Sequence, residues 1–236
     1  MIKAVFFDLD GTLLPLNEDD FGKLYFSLLS QKMIPYGYDQ KELISIIWQG
    51  TKLMYLNDGK KTNYDVFWEF FANHYGNEKL KDRPIFDSFY TNEFKQTKIA
   101  CKDNPLAKEI VKFCKDNNLL TILSTNPIFP KDGTMTRMSF IGLKESDFDF
   151  ITYYENFNYC KPNPMYFKKL LEKFDLKPEE VIVFGNNTYE DGECSLVCGI
   201  KCYMVGNYLI DHPRATHKFE HISLEKVIDK IKSHMK

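Results

Sequence analysis

Lys3-Ala4-Val5-Phe6-Phe7-Asp8-Leu9-Asp10-Gly11-Thr12 joins an apolar run to a pair of carboxylates. Ala4 to Phe7 has the length and β-preference of a fully buried strand in a parallel sheet. Side chains alternate along a strand, so Asp8 and Asp10 in extended backbone point to the same side of its C-terminal end. Two like charges this close repel and raise each other's pKa unless a cation lies between them. Gly11 permits a sharp exit that lets a ligand approach the backbone N–H groups. The pattern suits an anion held beside a divalent ion.

Downstream of Pro15 the spacing changes from strand to helix for about eighty residues. Asn17-Glu18-Asp19-Asp20 reads as a capped, acidic first turn. Apolar and aromatic residues then recur at helical intervals, from Phe21, Tyr25 and Leu29 through Phe67, Phe70 and Phe71 to Phe86, Tyr90 and Phe94. Four or so helices without a strand, set between two pieces of an α/β pattern, form an inserted bundle. Its aromatics read as bundle core rather than as a ligand box. Turn signals at Gly37 and at Asn57-Asp58-Gly59 divide it.

Alternation resumes at Asn104-Pro105, a helix start with Pro in the first turn. Strands are expected at 119–123, 148–152, 181–184 and 200–205. Helices are expected at 135–141, from Lys161-Pro162-Asn163-Pro164 onward, at 191–198 and at 224–231. The fold class is therefore α/β: a doubly wound parallel sheet with an inserted α-helical cap domain. The core domain takes 1–15 and 100–236, the cap 16–99.

A net charge of −2 over 236 residues gives no field favouring nucleic acid or an anionic membrane. The insertion is balanced too, with 11 Lys/Arg against 12 Asp/Glu. No apolar run approaches the roughly 20 residues of a membrane helix. The first strand begins within a few residues of Met1, and no signal peptide is expected. Six cysteines without a C-x-x-C pair read as reduced thiols, and a cytoplasmic location is expected. His212, His217 and His221 have only loose metal-like spacing in a polar stretch, and no second metal site is expected there.

In a doubly wound sheet, ligands bind beyond the carboxyl ends of the strands. Those ends carry Asp8 and Asp10, then Thr125 and Asn126, then Asn186 and Asn187 with Glu190 and Asp191 a turn later, and Lys161 follows the third strand. A hydroxyl, an amide and an ammonium around two carboxylates are what a phosphoryl group plus a metal ion require.

This set resembles the haloacid dehalogenase (HAD) superfamily, in its branch of aspartate-nucleophile phosphatases with an inserted helical cap. Asp8-Leu9-Asp10-Gly11-Thr12 resembles the first motif, Ser124-Thr125-Asn126 the second and Cys160-Lys161-Pro162-Asn163-Pro164 the third. Gly185 to Asp191 occupies the fourth. The resemblance implies that Asp8 is the nucleophile and Asp10 the acid and base. It implies that Thr125, Asn126 and Lys161 hold the phosphate, and that Asp8, the Asp10 carbonyl, Asn186 and Asp191 surround Mg²⁺. Dehalogenating members lack the second acid of the first motif, so Asp10 favours phosphate chemistry. Asn186 departs from the family, which has an aspartate there. Glu190 reads as an exposed, dipole-favourable residue. The activity implied is Mg²⁺-dependent hydrolysis of a small phosphorylated metabolite, without nucleic-acid or membrane partner. A phosphomutase and a catalytically impaired binding protein are the alternatives. Lys52, Lys60 and Lys61 are candidates to contact the non-reacting part of the substrate.

Overall fold

The computed structural model describes residues 1–235. Ala4–Phe7 forms β1, buried along its whole length. It pairs in parallel with β2 (Leu120–Leu123) on one side and β4 (Val181–Gly185) on the other. With β3 (Phe150–Ile151), β5 (Lys201–Val205) and β6 (His221–Ile222) the sheet has the order β3-β2-β1-β4-β5-β6. Strand order reverses between β1 and β4, and ligand crevices open at such a switch point.

The period of two along β1 divides the core. Val5 and Phe7 face a cluster containing α5 (Pro105–Asp116), Met138 of α6 (Lys131–Ser139) and α9 (Val227–His234). Ala4 and Phe6 face a second cluster with α7 (Met165–Lys173) and α8 (Cys194–Val197). Cys194, Cys198 and Cys202 are buried thiols in that second cluster, and all six cysteines are free.

Between β1 and α5 lie α1 (Glu18–Met33), α2 (Gln40–Tyr55), α3 (Asn63–Tyr75) and α4 (Arg83–Thr91), joined partly by 3-10 turns. The first three have side-chain caps: Asn17, Asp39 and Thr62 accept from the backbone N–H groups of Asp20, Glu42 and Asp65 at 3.1, 2.9 and 3.1 Å. Trp68, Phe71 and Phe86 interlock with ring centroids 5.1–5.5 Å apart, an arrangement in which truncating one ring costs about 3–5 kcal/mol. The chain enters and leaves this block at one place. Leu16 bridges Cys101, and the Lys102 N–H donates to the Pro15 carbonyl at 2.8 Å.

Several expectations shift: the third strand shortens to Phe150–Ile151 and the last helix runs Val227–His234. β6 was not anticipated, because two residues carry no alternation. The helix expected at 135–141 starts at Lys131. The helix expected from Asp191 opens as a widened π-helical turn, Thr188–Glu193, and becomes α-helical only at Cys194.

Candidate active site

Asp8 continues β1, its N–H donating to the Phe184 carbonyl at 2.9 Å, and it is only 7% exposed. The chain then folds sharply: Gly11 has φ +76, and a Cβ there would stand 2.0 Å from the Asn186 amide nitrogen. Only glycine lets the ends of β1 and β4 approach this closely.

Lys161, buried in the loop before α7, joins the two ends. Its Nζ donates to Asp8 Oδ1 at 2.9 Å and to Asp191 Oδ1 at 2.6 Å. Burial works against the ammonium, but Asp191 and Asp8 outweigh it and hold the lysine pKa well above its ordinary value. Asp8 is pushed upward chiefly by burial, with Asp191 and Asp10 adding and Lys161 opposing, since two carboxylates share one cation.

Asp191, expected as a metal ligand, has a donor at both oxygens. Oδ1 takes Lys161, and Oδ2 accepts the backbone N–H groups of Asn186 and Asn187, each at 3.1 Å. The widened turn and the side-chain-free Gly185, where a Cβ would meet Asp191 Oδ2 at 2.3 Å, let this carboxylate tuck under the end of β4. Its geometry is that of an anchor for Lys161.

Asn186 donates from Nδ2 to the Tyr208 carbonyl at 2.9 Å, which turns its Oδ1 toward Thr12. The Thr12 hydroxyl lies 3.2 Å from Asp8 Oδ2 and 3.5 Å from Asn186 Oδ1, and its single hydrogen satisfies one of them. Two hard oxygen atoms thus converge with spare acceptor capacity. Among the described residues no cluster of three His, Cys, Asp or Glu is arranged for a metal. An ion at this point would be held by one carboxylate and neutral oxygens, a donor set that fits a hard divalent cation keeping much of its water.

Asp10 is held by a residue with no sequence signal, Arg137 of α6. Its Nη1 donates to Asp10 Oδ2, its Nε to the Gly133 carbonyl at 3.3 Å, and its guanidinium lies 4.2 Å from the Phe129 ring centre. The other Asp10 oxygen, Oδ1, is buried without a partner. The Thr125 carbonyl is fastened by the hydroxyls of Thr152 (2.6 Å) and Tyr166 (3.0 Å). Asn126 is committed elsewhere: its Oδ1 accepts from the backbone N–H of Lys161 at 2.8 Å, and its Nδ2 donates to Glu190 Oε2 at 2.7 Å.

Glu190 is not the exposed helix-start residue expected. It also accepts from the Tyr55 hydroxyl of α2 at 3.2 Å, tying the insertion to the core. Burial, with Asp191 and Asp8 adding and Lys161 opposing, pushes it up to about 7.

Asp8, Asp10, Thr125, Asn126, Lys161, Asn186 and Asp191 all line one cavity of about 510 Å³. It continues between the core and the insertion, where Phe21, Tyr25, Phe67, Phe86 and Tyr90 line it. Some of the aromatics read as bundle core are therefore cavity wall as well. Lys52, Lys60 and Lys61 do not line it; Lys60 pairs with Asp58 and Lys61 with Glu69, both at 2.7 Å on the surface.

Solved structures of similar shape span different chemistries. A HAD phosphatase from Thermococcus onnurineus has 18% identity over 98% of each chain, with a TM-score of 0.61. L-2-haloacid dehalogenase from Xanthobacter autotrophicus, with chloropropionic acid covalently bound, has 16% identity, covering 98% of this chain and 99% of that one, at 0.58. A HAD family hydrolase from Deinococcus radiodurans, with bound phosphate and sodium, has 17% identity, covering 99% of this chain and 96% of that one, at 0.55. At these identities the likeness concerns the fold. No match was found among curated proteins. The family model for haloacid dehalogenase-like hydrolases matches residues 5–205, from β1 to the end of β5. The chain belongs to the haloacid dehalogenase-like hydrolase family.

Proposed function

We propose that the protein is a Mg²⁺-dependent phosphoric monoester hydrolase that acts on a small phosphorylated metabolite through an aspartyl-phosphate. The observation that carries this reading is Asp8 at the switch point, 2.9 Å from the Lys161 ammonium, with Asp10 two residues on in the same cavity. Similar folds serve dehalogenation too, but Asp10 gives this site a proton donor for an oxygen leaving group, which halide loss does not need.

An Asp8 oxygen attacks phosphorus, and the bond to the leaving oxygen breaks. Asp10 gives that oxygen a proton; Arg137 holds its Oδ2, and Oδ1 is left without a hydrogen-bond partner. Asp10 then removes a proton from water, which attacks phosphorus and frees Asp8 and inorganic phosphate. Lys161 spends two of its three N–H donors on Asp8 and Asp191, leaving one for a phosphoryl oxygen. Thr125 lines the same cavity and offers a hydroxyl. Asp8, the Asp10 carbonyl and Asn186 would hold Mg²⁺, with Asp191 behind them; when bound, the ion neutralises charge developing on the phosphoryl oxygens. Six free thiols accord with a reducing, cytoplasmic setting.

Phosphate release is the test. It should stop on chelation, return with Mg²⁺, and need millimolar rather than micromolar ion, because Asn186 supplies no charge. Asn186→Asp should lower the Mg²⁺ concentration for half-maximal rate. It should also lower the metal-free Tm, because a carboxylate would face the Tyr208 carbonyl that the amide now donates to. Mg²⁺ should therefore raise Tm more in the variant than in the parent. An unmoved titration together with an unmoved Tm response would remove Asn186 from the metal site.

A further inference from the structure

The part of the cavity beyond the phosphoryl site has a definite chemical character. Phe21, Tyr25, Phe86, Trp68 and Tyr90 are each at most 9% exposed, yet all line it. Most of the polar atoms around them are paired, although one hydrogen of the Tyr25–Tyr90 hydroxyl pair stays free. The hydroxyls of Tyr25 and Tyr90 lie 3.1 Å apart, Trp68 Nε1 donates to the Tyr154 hydroxyl at 3.3 Å, and the Tyr55 hydroxyl donates to Glu190. A substrate here meets ring faces and few free donors or acceptors. A polyol placed in such a chamber would lose water without replacing its hydrogen bonds.

Charge narrows the class further. Six acidic residues line the cavity (Asp8, Asp10, Glu18, Asp19, Glu190 and Asp191) against three cationic ones, Lys23, Arg137 and Lys161. A divalent ion and a phosphoryl dianion would cancel, and Asp10, Asp19 and Asp191 still match the three cations, so no positive excess is left for a second anion. Among the described residues the two buried cations are committed, Lys161 to Asp8 and Asp191 and Arg137 to Asp10. Lys23 is exposed at the rim, 3.6 Å from Asp20. At the mouth, burial and the nearby Asp10, Glu190, Asp8 and Asp191 push the Glu18 carboxyl up to about 8, so near neutral pH it adds a polar group rather than a charge. Among the described residues, Lys23 is the one lining cation without a buried partner, and it stands at the exposed rim rather than in the aromatic chamber.

We infer that the physiological substrate is the monophosphate ester of an aromatic or comparably apolar alcohol that carries no carboxylate or second phosphate. This rests on the hydrolase reading above and names the leaving group for it. The volume of about 510 Å³ suits a ring system, lying within the range of sites for drug-sized ligands. The aromatic walls give the ring stacking and edge contacts.

Three esters of similar leaving-group type test the inference on the intact protein with Mg²⁺: benzyl phosphate, 4-carboxybenzyl phosphate and glucose 6-phosphate. The expected kcat/KM for benzyl phosphate exceeds that of each of the others by about tenfold or more, the scale of one desolvated like-charge contact or an unpaired polar group. Equal or better turnover of the carboxylated ester or the sugar phosphate overturns the inference and leaves the hydrolase reading standing. If none of the three is hydrolysed, the hydrolase reading falls instead. Calorimetric binding of benzylphosphonate against 4-carboxybenzylphosphonate then decides the chamber's preference without turnover: tighter binding of the uncharged ring upholds it, and equal or weaker binding ends it.

Discussion

Asp8→Asn is expected to lower kcat by about three orders of magnitude or more, since an amide cannot accept the phosphoryl group and a lost nucleophile acts as a unit with its partners. Stability should move little, and upward if at all. Asp8 is buried, and its charged form is disfavoured by that burial and by Asp191 and Asp10. Removing the charge takes away this repulsion, while Lys161 keeps Asp191 at 2.6 Å. The pairing of near-total loss of rate with an unchanged or raised Tm separates a chemical role from a structural one. A variant that kept more than about a tenth of the parent rate would be incompatible with covalent catalysis at this position.

Lys161→Met should do the opposite on stability while also suppressing turnover. The ammonium is the shared partner of two carboxylates that are themselves nearly excluded from solvent. Leaving buried charges unpaired costs about 3–5 kcal/mol, which for a chain of this size is on the order of 6–20 °C in Tm. The rate should fall at least a hundredfold, on the order expected when a preorganised group for the developing charge is lost. Adding Asp8→Asn to Lys161→Met should restore part of the lost stability, because one of the stranded carboxylates is gone. Additive effects in that double variant would mean that the two side chains do not share the electrostatic unit described here.

How far the residues announced this arrangement follows from the range over which each signal acts. Ala4 to Phe7 carries its burial locally, as four apolar residues in a row, and so does the cap at Asn17. The order of strand, insertion and alternating strands and helices was legible for the same reason. Arg137 was not. In Lys131–Ser139 it stands among small and polar residues without a helical apolar stripe, and a lone arginine there reads as a solvated face. Only the fold brings it to Asp10, 127 positions away. Glu190 looked exposed because its partners Tyr55 and Asn126 come from other segments. Asp191 was recognisable as an acid of the site, but that both its oxygens would be engaged depends on the π-helical turn, which no residue pattern marks. Phe21, Tyr25, Phe71, Phe86, Tyr90 and Phe94 of the insertion are buried as read, whereas Phe67 and Phe70 are only partly so. The second role of some of them, as walls of the cavity, depends on how the insertion sits over the sheet. The lysines at 52, 60 and 61 were chosen by chemistry, and geometry puts them outside.

Turnover by this route requires one covalent bond, between Asp8 and phosphorus. Rapid-quench reaction with a ³²P-labelled phosphate ester and Mg²⁺, followed by peptide mapping, looks for it directly. The prediction is a transient label on the N-terminal peptide at Asp8 that is released by hydroxylamine, as an acyl phosphate should be, and is absent from Asp8→Asn. Steady release of phosphate with no label on that peptide at any quench time, or with label on a different residue, would contradict it.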